Sequence, residues 1–280
     1  MTSFDVIRAI RRNFSGVKIG HAGTLDPDAS GLLILAIGNA TRFLAHLDTE
    51  PKVYRFTLDF GCETDTLDAT GVIVHDGGTY PSREALEEVL VRFTGTIEQI
   101  PPAYSAVKTN GRRAYKIARQ GGDPELKPRQ ISVFHLQLLS YDTTEGNALL
   151  EVSCSGGTYV RSLARDIART LGTYGHTSGI RRLTCGTFTE NEAVAQDAVN
   201  GKTPLIPIQT ALRQFPVWEA DDVLLADIYF GRDVQLPTFK EDSILITEKN
   251  NHVVALVSRT AENSFHPSIV CLHSDTDRNS

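Results

Sequence analysis

GHAGTLDPDASGLLILAIGNATRF, residues 20–43, is the stretch on which the fold turns. Its first part, Gly20 to Pro27, is rich in turn formers and has no hydrophobic period. An apolar run follows, Leu32 to Ile37, which is expected to be a buried strand. Gly38 should stop it, and Asn39 is expected to cap a short helix through Leu47. Pro27 disfavours helix at Asp26 and holds it extended. Gly20 and Gly23 let the backbone come close to a ligand. A carboxylate on such a rigid loop suits a nucleophile or a base. The competing reading is that Asp26 caps the next turn, a common task for Asp. His21, five residues earlier, reads by spacing as a structural hydrogen-bonder, and no second His or Cys stands near enough to suggest a metal. The loop lacks both GK[ST] and GxGxxG, so it is neither a P-loop nor a dinucleotide fingerprint.

Outward from this stretch, Thr2 or Ser3 can cap a first helix that carries Phe4, Ile7 and Phe14 and should end near Asn13. Val53 to Phe60 is rich in β-formers and reads as a strand. Ser82 can cap a helix to about Phe93, with Leu86, Val89, Leu90 and Phe93 on one face. Strands are expected at 131–141 and 148–154. A helix should then run from Thr158 to about Leu171, with Tyr159, Leu163 and Ile167 on its buried face and Gly172 ending it. Pro204, Pro207 and Pro216 mark a boundary, so residues 1–210 form one domain and 215–280 a small second one, with short strands near 244–247 and 253–257. Strands in neighbouring runs, besides those alternating with helices, give a mixed α+β sheet with helices against it, not a doubly wound parallel fold. Tyr54 opens its strand and Tyr159 its helix, and either one serves as core as readily as site. Arg161 projects about 200° around a helix from Tyr159, so an inward Tyr159 would turn Arg161 elsewhere unless the helix end borders a cleft. An arginine there could pair with Asp26 and keep it ionised.

The chain has 280 residues, a formal charge of -6 and 41% hydrophobic residues, values ordinary for a soluble globular protein. No apolar run nears the roughly 20 residues of a membrane span, and the N-terminus does not look like a signal peptide, so the cytoplasm is expected. Cys62, Cys154, Cys185 and Cys271 form no CxxC pair and read as reduced thiols. The acidic balance argues against a nucleic-acid partner, but it is uneven. Between Pro101 and Gln130, seven cations (Lys108, Arg112, Arg113, Lys116, Arg119, Lys127 and Arg129) face only Asp123 and Glu125. A global sum does not describe that local field. Pro and Gly punctuate the same segment, which reads as a mobile excursion and not as core.

Taken together, these segments resemble the bacterial tRNA pseudouridine-55 synthase family, the TruB type. The stretch 20–43 looks like that family's central motif. KVYRF (52–56) looks like its second site motif, and IPPAYSAVKTNGRRAYKIAR (100–119) is similar to its RNA-gripping insertion. GTYVRSLARDI (157–167) and GIRRL (179–183) look like its last two, and all five stand in the family's order. The resemblance implies a pseudouridine synthase fold with a largely antiparallel sheet and a small PUA-like C-terminal appendage. It implies Asp26 as the catalytic aspartate, attacking the uracil ring or the ribose C1′ or assisting glycal formation. Tyr54 would stack on the extracted uracil and Arg161 would pair with Asp26. His21 would help hold the flipped-out loop, and Tyr159 and Ile180 would line the pocket, the family commonly having Leu at the latter position. Lys108, Arg112, Arg113, Lys116 and Arg119 would grip RNA phosphates. The implied partner is the T-arm of tRNA, bound by a monomer that needs no cofactor or metal and touches no membrane.

One departure accompanies the resemblance. The family carries an upstream strand with Lys-Pro followed by Gly-Met-Thr-Ser, and Met1-Thr2-Ser3 stands where that motif would be ending. About one strand is therefore expected to be missing: either the start lies upstream, or the protein makes do without that strand near the site. Two other functions stay open. One is a non-catalytic RNA-binding or tRNA-folding protein with a truncated synthase fold. The other is a two-carboxylate glycosidase, for which only the nearby Asp28 offers a second acid, and Asp28 reads as loop-polar.

Overall fold

The structure is a computed structural model that describes residues 1–109, 111–248 and 250–271. Two compact units divide the chain: residues 1–5, 23–34 and 49–194 form the first, and 6–22, 35–48 and 195 onward the second. The last nine residues of the expected 215–280 domain, 272–280, lie outside the described residues.

The first unit is built on one sheet. Its strands run in the order Phe188–Thr189, Gly175–Cys185, Lys52–Phe60, Asn147–Cys154, Arg129–Asp142 and Gly95–Gln99. All five of these neighbour pairs are antiparallel. Ser30–Gly31 joins Gly175–Cys185 in parallel, so the sheet is mixed but largely antiparallel, as expected. Strict alternation drives the two central strands. Phe56, Leu58 and Phe60 face one way in the first, and Ala148, Leu150, Val152 and Cys154 are buried in the second. Helices Arg83–Arg92 and Val160–Thr170 supply the covering layer. Ser82 caps the former by accepting from the Ala85 amide at 3.2 Å, and Leu86, Val89 and Leu90 turn inward as their spacing predicts. Leu163 and Ile167 are fully buried in the latter. Each such side chain contributes about 1.5–3 kcal/mol of apolar burial. That exceeds the roughly 1 kcal/mol of a good cap, so packing and not capping holds this helix in place.

Strand Gly175–Cys185, central to the sheet, is not expected from the sequence. Its ladder with Lys52–Phe60 is interrupted between Ser178 and Arg181 and again between Arg182 and Thr184. Gly175 and Thr177 point inward before the first irregularity, Ile180 and Arg182 between the two, and Cys185 after the second. Each bulge flips the inward set, which erases the period-2 signal along the segment.

The segment expected as an excursion between 101 and 130 is more ordered than its composition suggests. Lys108–Thr109 pairs with Arg112–Arg113, and a helix spans Ala114–Ala118. Pro101, Pro102, Ser105, Val107 and Ala114 are buried. Its apolar residues anchor it while its cations stay outside.

In the second unit, strands Val217–Glu219, Ser243–Thr247, Val253–Ala261, Ser264–Val270 and Val234–Gln235 form a five-stranded sheet in that order. It closes over Ile244, Ile246, Val254, Val257 and Phe265. The first helix runs Ser3–Arg11, shorter than expected, and buries Ile7 and Ile10 beside Ile19. The strand expected at Leu32–Ile37 shrinks to Ile34–Ile37, with only Ala36 buried. Leu32 is drawn off instead, its amide donating to the Arg182 carbonyl at 2.9 Å. The helix expected after an Asn39 cap is a 3-10 helix, Gly38–His46, whose cap position is Ile37.

Candidate active site

Three contacts pin the Asp26 segment within the first unit. The Ser3 hydroxyl accepts from the Leu25 amide at 3.0 Å and donates to the Leu25 carbonyl at 3.3 Å. The Met1 amino group donates to the Pro27 carbonyl at 3.0 Å. The Ala29 amide closes a turn on the Asp26 carbonyl at 3.0 Å. Asp26 is thereby presented on a fixed loop, and its side chain stays 38% exposed.

Arg161 meets it from below the surface. Nε and Nη2 each lie 2.8 Å from Asp26 Oδ2, and the arginine side chain is only 4% exposed. No described residue donates a hydrogen bond to Oδ1. The rest of the guanidinium is also occupied. Nη1 donates to the Thr66 carbonyl at 2.7 Å, Nη2 to the Tyr104 carbonyl at 3.1 Å, and Asp68 Oδ2 stands 3.4 Å from Nη1. Asp68 is itself held through Oδ1, which accepts from the hydroxyls of Thr66 at 2.7 Å and Thr70 at 2.6 Å and from the Thr70 amide at 3.1 Å. A buried ion pair is weak grounds for stability. Bonded at every side, though, this arginine cannot swing, and it holds one oxygen of Asp26 in one place.

The helical angle count from Tyr159 does not apply, because Tyr159 is the cap and not a helical residue. Its backbone is extended, at φ -103 and ψ 108. Gln99, which is 2% exposed, locks it there: the Tyr159 amide donates to Oε1 at 2.8 Å and Nε2 donates to the Tyr159 carbonyl at 3.1 Å. The helix therefore starts at Val160, and Arg161 turns inward toward Asp26 while Tyr159 remains half-buried.

Tyr54 is half-buried near the start of strand Lys52–Phe60, on the face it shares with Phe56 and Leu58. Its register partner is Arg182, so the two side chains share a face of the sheet. Arg182 is fully buried. Its Nε donates to the Leu32 carbonyl at 2.8 Å and its Nη2 to the Gly23 carbonyl at 2.9 Å, on the Asp26 segment. Burial pushes the Tyr54 phenol up to about 12, with the Arg182 charge working against that rise. At neutral pH Tyr54 is thus an uncharged aromatic ring beside a cation. Ile180 is buried two residues before Arg182.

The structure brings Asp26 and Arg161 into direct contact and sets Tyr54 opposite Arg182, whose side chain bonds the Asp26 segment. His21 stands on strand Ile19–Ala22 in the second unit, its Nδ1 buried without a hydrogen-bond partner. Lys108, Arg112, Arg113, Lys116 and Arg119 all lie at the surface, Lys116 and Arg119 among them. Arg112 donates to the Gln120 side chain at 2.6 Å, and Arg119 lies 5.6 Å from the Tyr115 ring centre. Arg182, Asp68 and Gln99 are not anticipated from the sequence. The paired arginines at 181–182 are a signal for the first only in retrospect, since the bulge decides which of them turns inward.

An open carboxylate steadied by a buried arginine is an arrangement suited to nucleophilic or base chemistry. Residues 11–160 match the sequence profile described as TruB family pseudouridylate synthase (N terminal domain). A tRNA pseudouridine synthase B from Caldanaerobacter subterraneus subsp. tengcongensis is 40% identical over 265 residues, covering 94% of this chain and 92% of the relative. One from Rickettsia bellii is 37% identical over 272 residues, covering 95% and 92%. Among solved structures, a chain of an H/ACA RNP bound to a substrate RNA containing 2'-deoxyuridine superposes with a TM-score of 0.69 at 21% identity, covering 98% of this chain and 83% of that one. A chain of a Cbf5-Nop10-Gar1 complex gives 0.67 at 24% identity, covering 98% and 81%. Those two likenesses concern the fold.

Proposed function

This chain belongs to the TruB family of pseudouridylate synthases, and from that premise we propose that it isomerises the uridine at position 55 in the T-arm of tRNA, with Asp26 as the catalytic carboxylate. The observation that carries this reading is the pairing of a 38% exposed Asp26 with a 4% exposed Arg161 through Oδ2 alone. The reaction breaks the bond from C1′ to N1 and forms one from C1′ to C5. N1 gains a proton and C5 loses one, so composition is unchanged and no redox partner is needed. A uridine inside a folded loop reaches Asp26 only after flipping, at a cost on the order of a few kcal/mol. Stacking on Tyr54 returns roughly 1–3 kcal/mol of it.

Arg161 fixes the catalytic carboxylate. Tyr159 and Ile180 border the base, and His21 helps hold the flipped arrangement of the RNA. Lys108, Arg112, Arg113, Lys116 and Arg119 position the RNA backbone, a task that carries no base specificity. Residues 1–210 carry catalysis and the 215–280 segment makes a weak RNA contact. The protein acts as a monomer in the cytoplasm.

Mass-tagged mapping of pseudouridine in a T-arm stem-loop tests the proposal. Wild-type protein should convert the target uridine, whereas Asp26→Asn and Asp26→Ala should bind the RNA without converting it. Product formation by Asp26→Ala at the wild-type rate would refute the assignment, and binding without turnover by the wild type would leave only an RNA-binding role.

A further inference from the structure

Arg182 takes no part in the chemistry assigned above, yet it is the largest fully buried side chain among the described residues. Burying a guanidinium costs desolvation that an apolar side chain of similar volume would not. The guanidinium is therefore better explained by what it touches than by what it contributes to stability.

Its contacts converge on the Asp26 segment. The side chain bonds the carbonyls of Gly23 and Leu32, which bracket Asp26. The Arg182 backbone grips the same segment, accepting from the Leu32 amide at 2.9 Å while Gly31 lies beside it in parallel register. Gly31 sits at φ +91, and a Cβ there would come 2.2 Å from the Arg182 carbonyl oxygen. A Cβ on Gly23 would come 3.1 Å from Nη1. Glycines stand where the arginine needs room. Opposite it across the ladder is Tyr54. One nitrogen, Nη1, is buried with no hydrogen-bond partner. Leaving such a donor unpaired costs roughly 1–3 kcal/mol, which calls for an acceptor close by. The phenolic oxygen of Tyr54 is an acceptor on the same face of the neighbouring strand, near enough for the arginine's charge to act on it.

We propose that Arg182 is a positioning residue for the isomerisation: its guanidinium ties the Asp26 loop to the Tyr54 phenol, so that carboxylate and ring meet the nucleoside in one fixed geometry. The kinetic half of this inference rests on the function proposed above. The structural half does not.

Arg182→Lys keeps the charge but loses the planar fork that reaches several acceptors at once. In protein labelled with 13Cζ-tyrosine, the Tyr54 signal should move in the Arg182→Lys variant, and hydrogen exchange of amides 24–32 should quicken. With T-arm RNA, kcat should fall about ten- to a hundredfold with KM within about twofold, the equivalent of losing one charge-assisted hydrogen bond in the transition state. In a Tyr54→Phe background the same replacement should cost less than about threefold, because the coupling is already gone. An unmoved Tyr54 signal in folded Arg182→Lys protein would overturn the proposal, as would an equal loss in both backgrounds. Should Arg182→Lys fail to fold, Tyr54→Phe reads the contact from the other side, through the 15N signals of the Arg182 side chain, which must shift. If the wild type does not isomerise RNA, the proposed function fails and the NMR result alone decides this inference.

Discussion

Asp68 Oδ2 lies 3.4 Å from Arg161 Nη1, the guanidinium nitrogen that takes no part in holding Asp26. One buried arginine thus joins a 38% exposed carboxylate to a 9% exposed one. The outer acid has room for a substrate and the inner acid does not. Asp68→Asn should keep the fold, because Arg161 retains the Thr66 and Tyr104 carbonyls, and should lower turnover by about tenfold as Asp26 loses its fixed aim. Arg161→Met leaves Asp68 buried without its cation, and a loss of about 3–5 kcal/mol is expected in denaturant titration. Equal stability of the two variants would contradict this ordering.

Gly31→Ala should be among the most damaging single-methyl changes in the protein. The added Cβ would meet the Arg182 carbonyl oxygen at 2.2 Å, a backbone atom that cannot rotate aside, at φ +91. A loss of more than about 2 kcal/mol is expected, against roughly 1 for Gly111→Ala, which also sits at positive φ (+76) but has nothing within 4 Å of its Cβ. Thermal unfolding of the two variants makes the comparison.

Stability should fall between about pH 9 and pH 12. Burial holds the Cys154 thiol up to about 11 and the Tyr54 phenol up to about 12 in the folded chain. Both folded values are raised, so the folded state keeps its protons after the unfolded chain has released them. The contribution is fully present below the unfolded values and is lost as pH rises through the folded ones. Tyr54→Phe removes the phenol's share, so its chemical-denaturation stability should decline less steeply above pH 10, by up to about 1.4 kcal/mol per pH unit. Parallel slopes for the two proteins would refute this.

Five cations crowd residues 108–119, and Val107 and Ala114 anchor the segment beneath them. Replacing Lys108, Arg112 and Lys116 by Gln should weaken tRNA binding at every sequence alike. The slope of log affinity against log salt should drop by about 0.7–0.9 for each phosphate that the variant no longer neutralises. Unchanged salt dependence would remove this segment from the RNA-binding surface.

Local patterns were readable where the chain obeys one period throughout. Ser82 with Leu86, Val89 and Leu90 makes an amphipathic helix wherever it is placed. Arg55–Phe60 and Asn147–Cys154 alternate without interruption, so their faces follow from the order of their residues. Gly175–Cys185 was not readable, because two bulges reset its faces and both resets depend on the neighbouring strand. The resemblance implies the pairing of Asp26 with Arg161, whereas helical spacing from an inward Tyr159 turns Arg161 away. A distant side chain, Gln99, sets the helix start that brings the two together.

The sequence by itself determined the residue types of the site, the loop that presents Asp26 and the uninterrupted core strands, because turn chemistry and hydrophobic period act over a few neighbours. Tertiary structure alone decided that Arg182 and not Arg181 turns inward, that Asp68 shares the guanidinium of Arg161, and that Arg182 stands opposite Tyr54 while bonding the Asp26 segment. Those outcomes depend on strand register and on hydrogen bonds between residues far apart in the chain, and no local propensity encodes either.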